Sequence, residues 1–382
     1  MKIGFDAKRA AKNRTGLGNY SRFIVRLLAG RRPQDDFFLY VPDSRRMPYI
    51  NEIPHTPNLH LRFPTGRAAR TMASLWRSWG MTADLDRDGI TIYHGLSNEL
   101  PLNIDRAHCR SVVTIHDLIF RHCPEYYHLI DRLIYDYKFR RACRKADRVI
   151  AVSEYTKREI MEYYGTPEEK IDVVYQGCDP VFGKEIPQAT LHDVRKRHSL
   201  PSRYLLYVGS IEERKNLMLV VKALEEMQRR GSLERLDVKV VAVGRRTAYT
   251  KKIEEAVSLL HLEGRFMMCH SVTYSDLPSF YRLATAFVYP SRIEGFGIPM
   301  LEAITSGVPA IGCTGSCLEE AGGPDSIYVA PDDHEALASA IERLWTDDDL
   351  RRNMIEKGRI YAQNFSDERL GKALEDTYRK LL

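Results

Sequence analysis

The chain has 382 residues, 44% of them hydrophobic and 28% charged, which suggests two folded domains and excludes a disordered or fibrous protein. No run of eighteen apolar residues occurs and the start lacks the apolar core of a signal peptide, so a spanning helix and a secreted chain are both unexpected. The net charge of +6 is uneven: residues 1–180 carry 29 Lys and Arg against 22 Asp and Glu, and residues 181–382 carry 28 against 29.

The first stretch, "KIGFD", reads as a buried strand, followed by the loop "AKRAAKNRTGLG" and an amphipathic helix over 19–29. Gly16 and Gly18 at this junction allow close backbone approach to a phosphate, although the sequence after them does not complete GxGxxG. Further strands, "FFLYV", "LHLRF", "ITIYHG", "SVVTIHD", "RVIAVS" and "IDVVYQG", alternate with helical patterns at 67–79, 130–145 and 154–164. Such alternation indicates α/β layers around a mainly parallel sheet. His116 ends an apolar strand, where ligands of open α/β sheets bind and where a hydrogen-bonded structural histidine also occurs. "DLDRD" (84–88) reads as a solvated loop rather than a metal motif. In "DRLIYDYKFRRACRKADR" (131–148), seven Lys and Arg are interleaved with Leu133, Ile134, Tyr137, Phe139 and Ala142. The apolar side is expected against the sheet and the basic side in solvent, with a membrane-surface or acceptor-phosphate role for the basic side as the alternative. Nothing resembles a nucleic-acid-binding motif.

The polar segment over 181–201 reads as a linker with a short helix. A second series of strands then begins: "RYLLYVGS", "DVKVVAVG", "RFMMCHS", "TAFVYP", "VPAIG" and "SIYVA". Its helices fall near 216–229, 249–260, 275–283 and 334–345, and two more close the chain at 349–363 and 367–382. "YVGSIEERKNL" sets Arg214 and Lys215 just before a helix start, an arrangement that suits a diphosphate. In "PSRIEGFGIPMLEAITSGVPAIG" (290–312), Glu294 lies on a strand-to-helix turn and Glu302 on the helix beyond it. Backbone N–H groups at Phe296, Gly297 and Ile298 lie at that helix start. The seven cysteines form no CxxC pair, the closest being Cys313 and Cys317, so neither a disulfide framework nor a zinc site is expected and a reducing cytoplasm is the natural reading.

The strings "TGLGNY", "TIHD", "GSIEERKN" and "EGFGIPMLE" together resemble family 4 of the retaining, nucleotide-sugar-dependent glycosyltransferases, and bacterial mannosyltransferases of surface-polysaccharide assembly among them. The resemblance implies a GT-B fold, two Rossmann-like α/β/α domains facing across a cleft. Residues 1–180 would bind the acceptor, 202–365 the donor, and the helix at 366–382 would pack back on the N-terminal domain. It further implies donor contacts from Gly16, Gly18, Arg214, Lys215, Glu294, Phe296, Gly297 and Glu302. His116, Glu294 and Lys215 would be the catalytic set. Relatives often place Arg directly after the loop glycine; here Ser210 follows Gly209 and the basic pair is adjacent. The expected reaction transfers a hexose with retention and without a metal or other cofactor, mannose from GDP-mannose first and a UDP-hexose next. The acceptor would be a glycan or lipid-linked glycan, and the enzyme cytoplasmic and peripheral at the inner face of the cell membrane. A catalytically silent scaffold, or a sugar-phosphate synthase or phosphorylase on the same fold, is the alternative.

Overall fold

The computed structural model of the chain describes residues 1–45, 47–64 and 72–382. It divides into two compact units, Met1–Gln176 with Asp367–Leu382, and Gly177–Ser366. The first unit is built on strands β1 (Lys2–Asp6), β2 (Asp36–Tyr40), β3 (Leu59–Arg62), β4 (Ile92–Gly95), β5 (Arg110–Ile115), β6 (Arg148–Ala151) and β7 (Ile171–Val173). They pair in parallel in the order β3-β2-β1-β4-β5-β6-β7. Central strands such as β1 and β5 are buried along almost their whole length, as expected of a parallel sheet covered on both faces. Strand order reverses between β1 and β4, and the crevice at such a switch point is where doubly wound sheets hold ligands.

The second unit repeats the plan with β8 (Leu205–Val208), β9 (Val240–Val243), β10 (Phe266–Cys269), β11 (Ala286–Tyr289), β12 (Ala310–Cys313) and β13 (Ile327–Val329). The order is β10-β9-β8-β11-β12-β13, again parallel, with its switch between β8 and β11. These thirteen strands lie on the thirteen runs read from the sequence, β1 over the same residues and the others with ends shifted by a residue or more. Of the helix expected at 67–79, residues 67–71 lie outside the described residues; the rest is helical as Ala73–Leu75 and Trp76–Gly80. Among the described residues, no helix is long and apolar enough to cross a membrane.

The last helix, Asp367–Arg379, belongs to the first unit and is tied to its core by a buried polar chain. Tyr378 Oη lies 2.7 Å from His94 Nδ1, and His94 Nε2 lies 2.8 Å from Thr114 Oγ1. Tyr20 Oη, from the helix Gly16–Arg31, is 3.1 Å from the same Thr114 hydroxyl. Burial, with a smaller effect of His116, pushes His94 down to about 3, so the ring is neutral and has one N–H to give.

Two expectations are corrected. Residues 84–88 are helical, within Met81–Asp88, rather than a solvated loop. Asp84 is buried and accepts from Trp76 Nε1 at 2.7 Å, and Asp88 accepts from Tyr40 Oη at 2.8 Å and Arg62 Nε at 3.1 Å. These carboxylates hold side chains of the first unit together. The helix Leu129–Lys145 is also turned over relative to expectation. Leu133, Ile134 and Tyr137 are 62%, 43% and 59% exposed, whereas Phe139, Ala142 and Cys143 are buried. At 3.6 residues per turn the two sets point to opposite sides, and only the second faces the core. Most of the basic residues are engaged instead: Lys138 with Glu99 at 3.4 Å, Arg140 with Asp136 at 3.5 Å, Lys145 with Asp105 at 2.6 Å, Arg148 with Asp172 at 2.8 Å, and Arg141 with the Leu102 carbonyl.

The Tyr378–His94 bond is a test of the first unit. Tyr378→Phe should lower the unfolding free energy by about 1–3 kcal/mol, the cost of an unsatisfied buried partner. Tyr378→Ala, which also opens a cavity, should lower it by about 3–5 kcal/mol. Urea unfolding followed by circular dichroism measures both.

Candidate functional site

The sequence sends two segments to the switch point of the second sheet. After β8, Gly209 and Ser210 lead to a single 3-10 turn, Glu213–Lys215, and Asn216 adopts the left-handed conformation before the helix Leu217–Arg229. After β11, residues 290–297 turn into the helix Ile298–Thr305, whose Pro299 suits a first helical turn. The two loops are stitched together by Arg292 N–H donating to the Arg214 carbonyl at 3.0 Å.

Side chains from both loops converge on one atom. Glu294 Oε1 accepts from Lys215 Nζ at 2.5 Å, Ser291 Oγ at 2.7 Å and Tyr289 Oη at 3.0 Å, and lies 3.0 Å from the guanidinium of Arg214. Lys215 Nζ also donates to Tyr289 Oη at 2.5 Å, and Arg214 donates to the Ile293 carbonyl at 2.6 Å. The Cys317 thiol donates to the Glu294 carbonyl at 3.0 Å, fixing the turn from the loop after β12. All of these side-chain contacts to the carboxylate use Oε1 and none uses Oε2.

The charges do not balance. Arg214, Lys215 and Glu294 have side chains only 15%, 11% and 11% exposed, so two cations share one carboxylate in a recessed site. Burial pushes Glu294 up, but Lys215 and Arg214 outweigh it and hold the carboxyl down at about 2. Lys215 is lowered, by burial first and by Arg214, against the pull of Glu294. The Glu294 shift follows from the two cations beside it, and the Lys215 shift first from burial.

Glu302, one helical turn beyond the first, behaves oppositely. Its Oε2 accepts from Tyr281 Oη at 2.8 Å, and burial together with Asp179 raises it to about 7, despite the Tyr281 bond. Gly297 adopts φ 106°, and an added Cβ would lie 2.6 Å from Leu318 Cδ2, so a side chain is excluded on two grounds. The Phe296 ring is core, packed 5.4 Å from Phe365.

In the first unit, Gly16 starts the helix Gly16–Arg31 with nothing within 4 Å of an added Cβ. Gly18 has a purely local reason to be glycine: its Cβ would fall 1.8 Å from the Asn13 carbonyl oxygen, which Arg22 also holds at 2.8 Å. His116 follows β5. Its Nε2 lies 2.9 Å from the Leu96 carbonyl, so that nitrogen carries the proton, and Nδ1 is 3.4 Å from the Gln176 amide. Burial pushes the ring down to about 4, and Tyr20 packs edge-on at 4.6 Å. The ring is therefore neutral, with an acceptor at Nδ1. Sequence reading missed Tyr289, Ser291, Tyr281 and Cys317. Tyr289 and Tyr281 read as ordinary core aromatics, and only their hydroxyl partners reveal them.

Two family models match in tandem, Glycosyltransferase Family 4 over residues 15–182 and Glycosyl transferases group 1 over 191–361. The chain belongs to the family 4 glycosyltransferases. It is 28% identical to the O-antigen chain mannosyltransferase B of Escherichia coli over 96% of each chain. Among solved structures, the sucrose-phosphate synthase of Thermosynechococcus elongatus superposes with a TM-score of 0.78 at 19% identity, covering 100% of this chain and 99% of that one. Anabaena Alr3699/HepE in complex with UDP-glucose gives 0.75 at 17% identity and full coverage of both. The fold of this glycosyltransferase is GT-B.

Glu294 is held ionised in the folded protein at about 2 against an ordinary 4.5. A depressed carboxyl stabilises the fold above pH 4.5 and loses that contribution as pH falls toward 2. Glu294→Gln, which strands two cations, should cost about 3–5 kcal/mol at neutral pH. The difference from wild type should shrink across that acid window. Glu302→Gln, which keeps an acceptor for Tyr281, should cost under about 1 kcal/mol. Urea unfolding at neutral and acid pH checks all three.

Proposed function

We propose that this glycosyltransferase moves mannose from GDP-mannose to a glycan or lipid-linked glycan, with retention and without a metal. The observation that carries the reading is the pair of cations around one carboxylate at the β8/β11 switch point, a site short of negative charge. A nucleoside diphosphate supplies that charge. Cleaving the bond from sugar C1 to the diphosphate builds negative charge on the leaving oxygen, where Arg214 and Lys215 stabilise it electrostatically, the role a divalent ion serves elsewhere.

Glu294 Oε2, unused by the contacts to Oε1, then accepts from a donor hydroxyl, and Glu302 accepts from the ribose. The backbone at Phe296 and Gly297 positions the donor, and Gly16 leaves room for the diphosphate. His116, neutral, accepts a sugar hydroxyl at Nδ1 in place of the Gln176 amide. The C1–O bond to the diphosphate breaks and a C1–O bond to the acceptor forms on the same face. The acceptor's proton passes to the leaving phosphate, so no enzyme nucleophile enters. Mannose as the sugar rests on the similarity to the Escherichia coli O-antigen chain mannosyltransferase B. A location at the inner face of the cell membrane accords with a lipid-linked acceptor.

Incubation with GDP-mannose and a panel of soluble mannosides tests this. Proton NMR of the product should show the donor's anomeric configuration kept, and EDTA should leave the rate unchanged. An inverted product, or activity abolished by EDTA and restored by magnesium, would overturn the mechanism. Lys215→Ala should weaken GDP binding by about 1.5–3 kcal/mol in isothermal titration, the range for hydrogen bonds to charged groups.

A further inference from the structure

The helix Leu129–Lys145 presents an apolar face to solvent. Leu129, Ile130, Leu133, Ile134 and Tyr137 are 64%, 72%, 62%, 43% and 59% exposed. At 100° per residue they occupy one stripe about 140° wide, and no acidic residue of the helix falls within it. The stripe changes character along its length. Arg140 and Arg144, three and seven residues after Tyr137, continue it as exposed cations. Arg140, half-exposed, lies 3.5 Å from Asp136 and 5.1 Å from the Tyr164 ring centre, and the Arg144 guanidinium has no ion-pair partner among the described residues. Lys138, Arg141 and Lys145 reach groups of the protein instead.

A second exposed apolar segment adjoins it. Leu102 donates its N–H to the Ser78 carbonyl at 2.7 Å and accepts from Arg141 through its own carbonyl. That bridge ties the helix to residues 72–80, where Met72, Leu75 and Trp79 are 49%, 54% and 51% exposed.

We infer that this surface of the first unit docks on an anionic lipid bilayer. Exposed Leu and Ile on a helix that does not pack them need an apolar phase, and the arginines choose its headgroups. Leu133 and Arg144 are about 16 Å apart along the axis at 1.5 Å per residue. A tilted helix therefore sinks its first turns to the acyl boundary and keeps both guanidiniums among the phosphates. Trp79 has the side chain favoured at such an interface. Charge alone gives weak, salt-screened attraction; apolar insertion is not screened, so part of the binding survives physiological salt. The inference rests on the membrane-facing part of the proposed function and is independent of donor chemistry.

Co-sedimentation with vesicles rich in phosphatidylglycerol, or of phosphatidylcholine alone, tests it at low and at about 0.15 M salt. Wild type should bind the anionic vesicles and retain part of that binding at the higher salt. Ile130→Ser, Leu133→Ser, Tyr137→Ser should lower the partition coefficient at least tenfold with an unchanged melting temperature. Arg140→Gln, Arg144→Gln should remove the preference for anionic over neutral lipid. Wild-type binding by the apolar variant, or no binding of wild type at low salt, overturns the inference. So does a wild-type dimer that this variant converts to monomer while neither binds vesicles, since the face would then join two copies. Transfer to soluble mannosides, measured in parallel, fails only if the enzymatic reading is wrong.

Discussion

Two cations and one carboxylate, drawn into a recess where the strand order of a parallel sheet reverses, set the terms for the second unit. The imbalance is possible because the scaffold around it is rigid. Tyr289 is fixed in the buried strand β11, Ser291 sits two residues on, and Cys317 holds the backbone of Glu294 from a third loop. Without that support the excess positive charge would be relieved by moving a side chain into water. The geometry keeps Arg214 and Lys215 inside and keeps Glu294 ionised between them.

The two glutamates of one short segment illustrate how environment divides the same chemistry. Glu294 has cations and hydroxyl donors and stays charged down to about 2, whereas Glu302 has one tyrosine hydroxyl and rises to about 7. Seven residues lie between them in the chain, but one faces the Glu213–Lys215 turn and the other faces Tyr281. A fixed counter-charge and an adjustable acceptor thus stand on a single turn and helix.

The first unit is organised by neutral hydrogen bonding. His94 and His116 are both buried, both held below the ordinary histidine range, and each donates or accepts along a defined direction. The chain from Tyr378 through His94 and Thr114 to Tyr20 joins the last helix to the sheet and to the helix that begins at Gly16. It is an uncharged network, so it adds rigidity without the desolvation penalty of a buried ion pair. The outward apolar stripe of Leu129–Lys145 contrasts with this interior: surface that the fold could have covered is left in water.

Periodicity and breakers in the sequence were enough for thirteen strands, two α/β units and the strand-to-helix turns that carry Lys215 and Glu294, because parallel strands buried on both faces read as uninterrupted apolar runs. The family resemblance supplied the candidate residues, and the tandem family matches agree with it. Three things needed the tertiary structure. The order of strands, and hence which loops meet at a switch point, depends on pairings remote in sequence. The state of each ionisable group depends on neighbours such as Arg214 and Tyr281, which spacing cannot place. The orientation of Leu129–Lys145 was misjudged from sequence because Leu133 and Tyr137 on one side, and Phe139 and Cys143 on the other, are equally apolar. Only packing against the sheet decides which of two apolar faces is buried, and it chose the second.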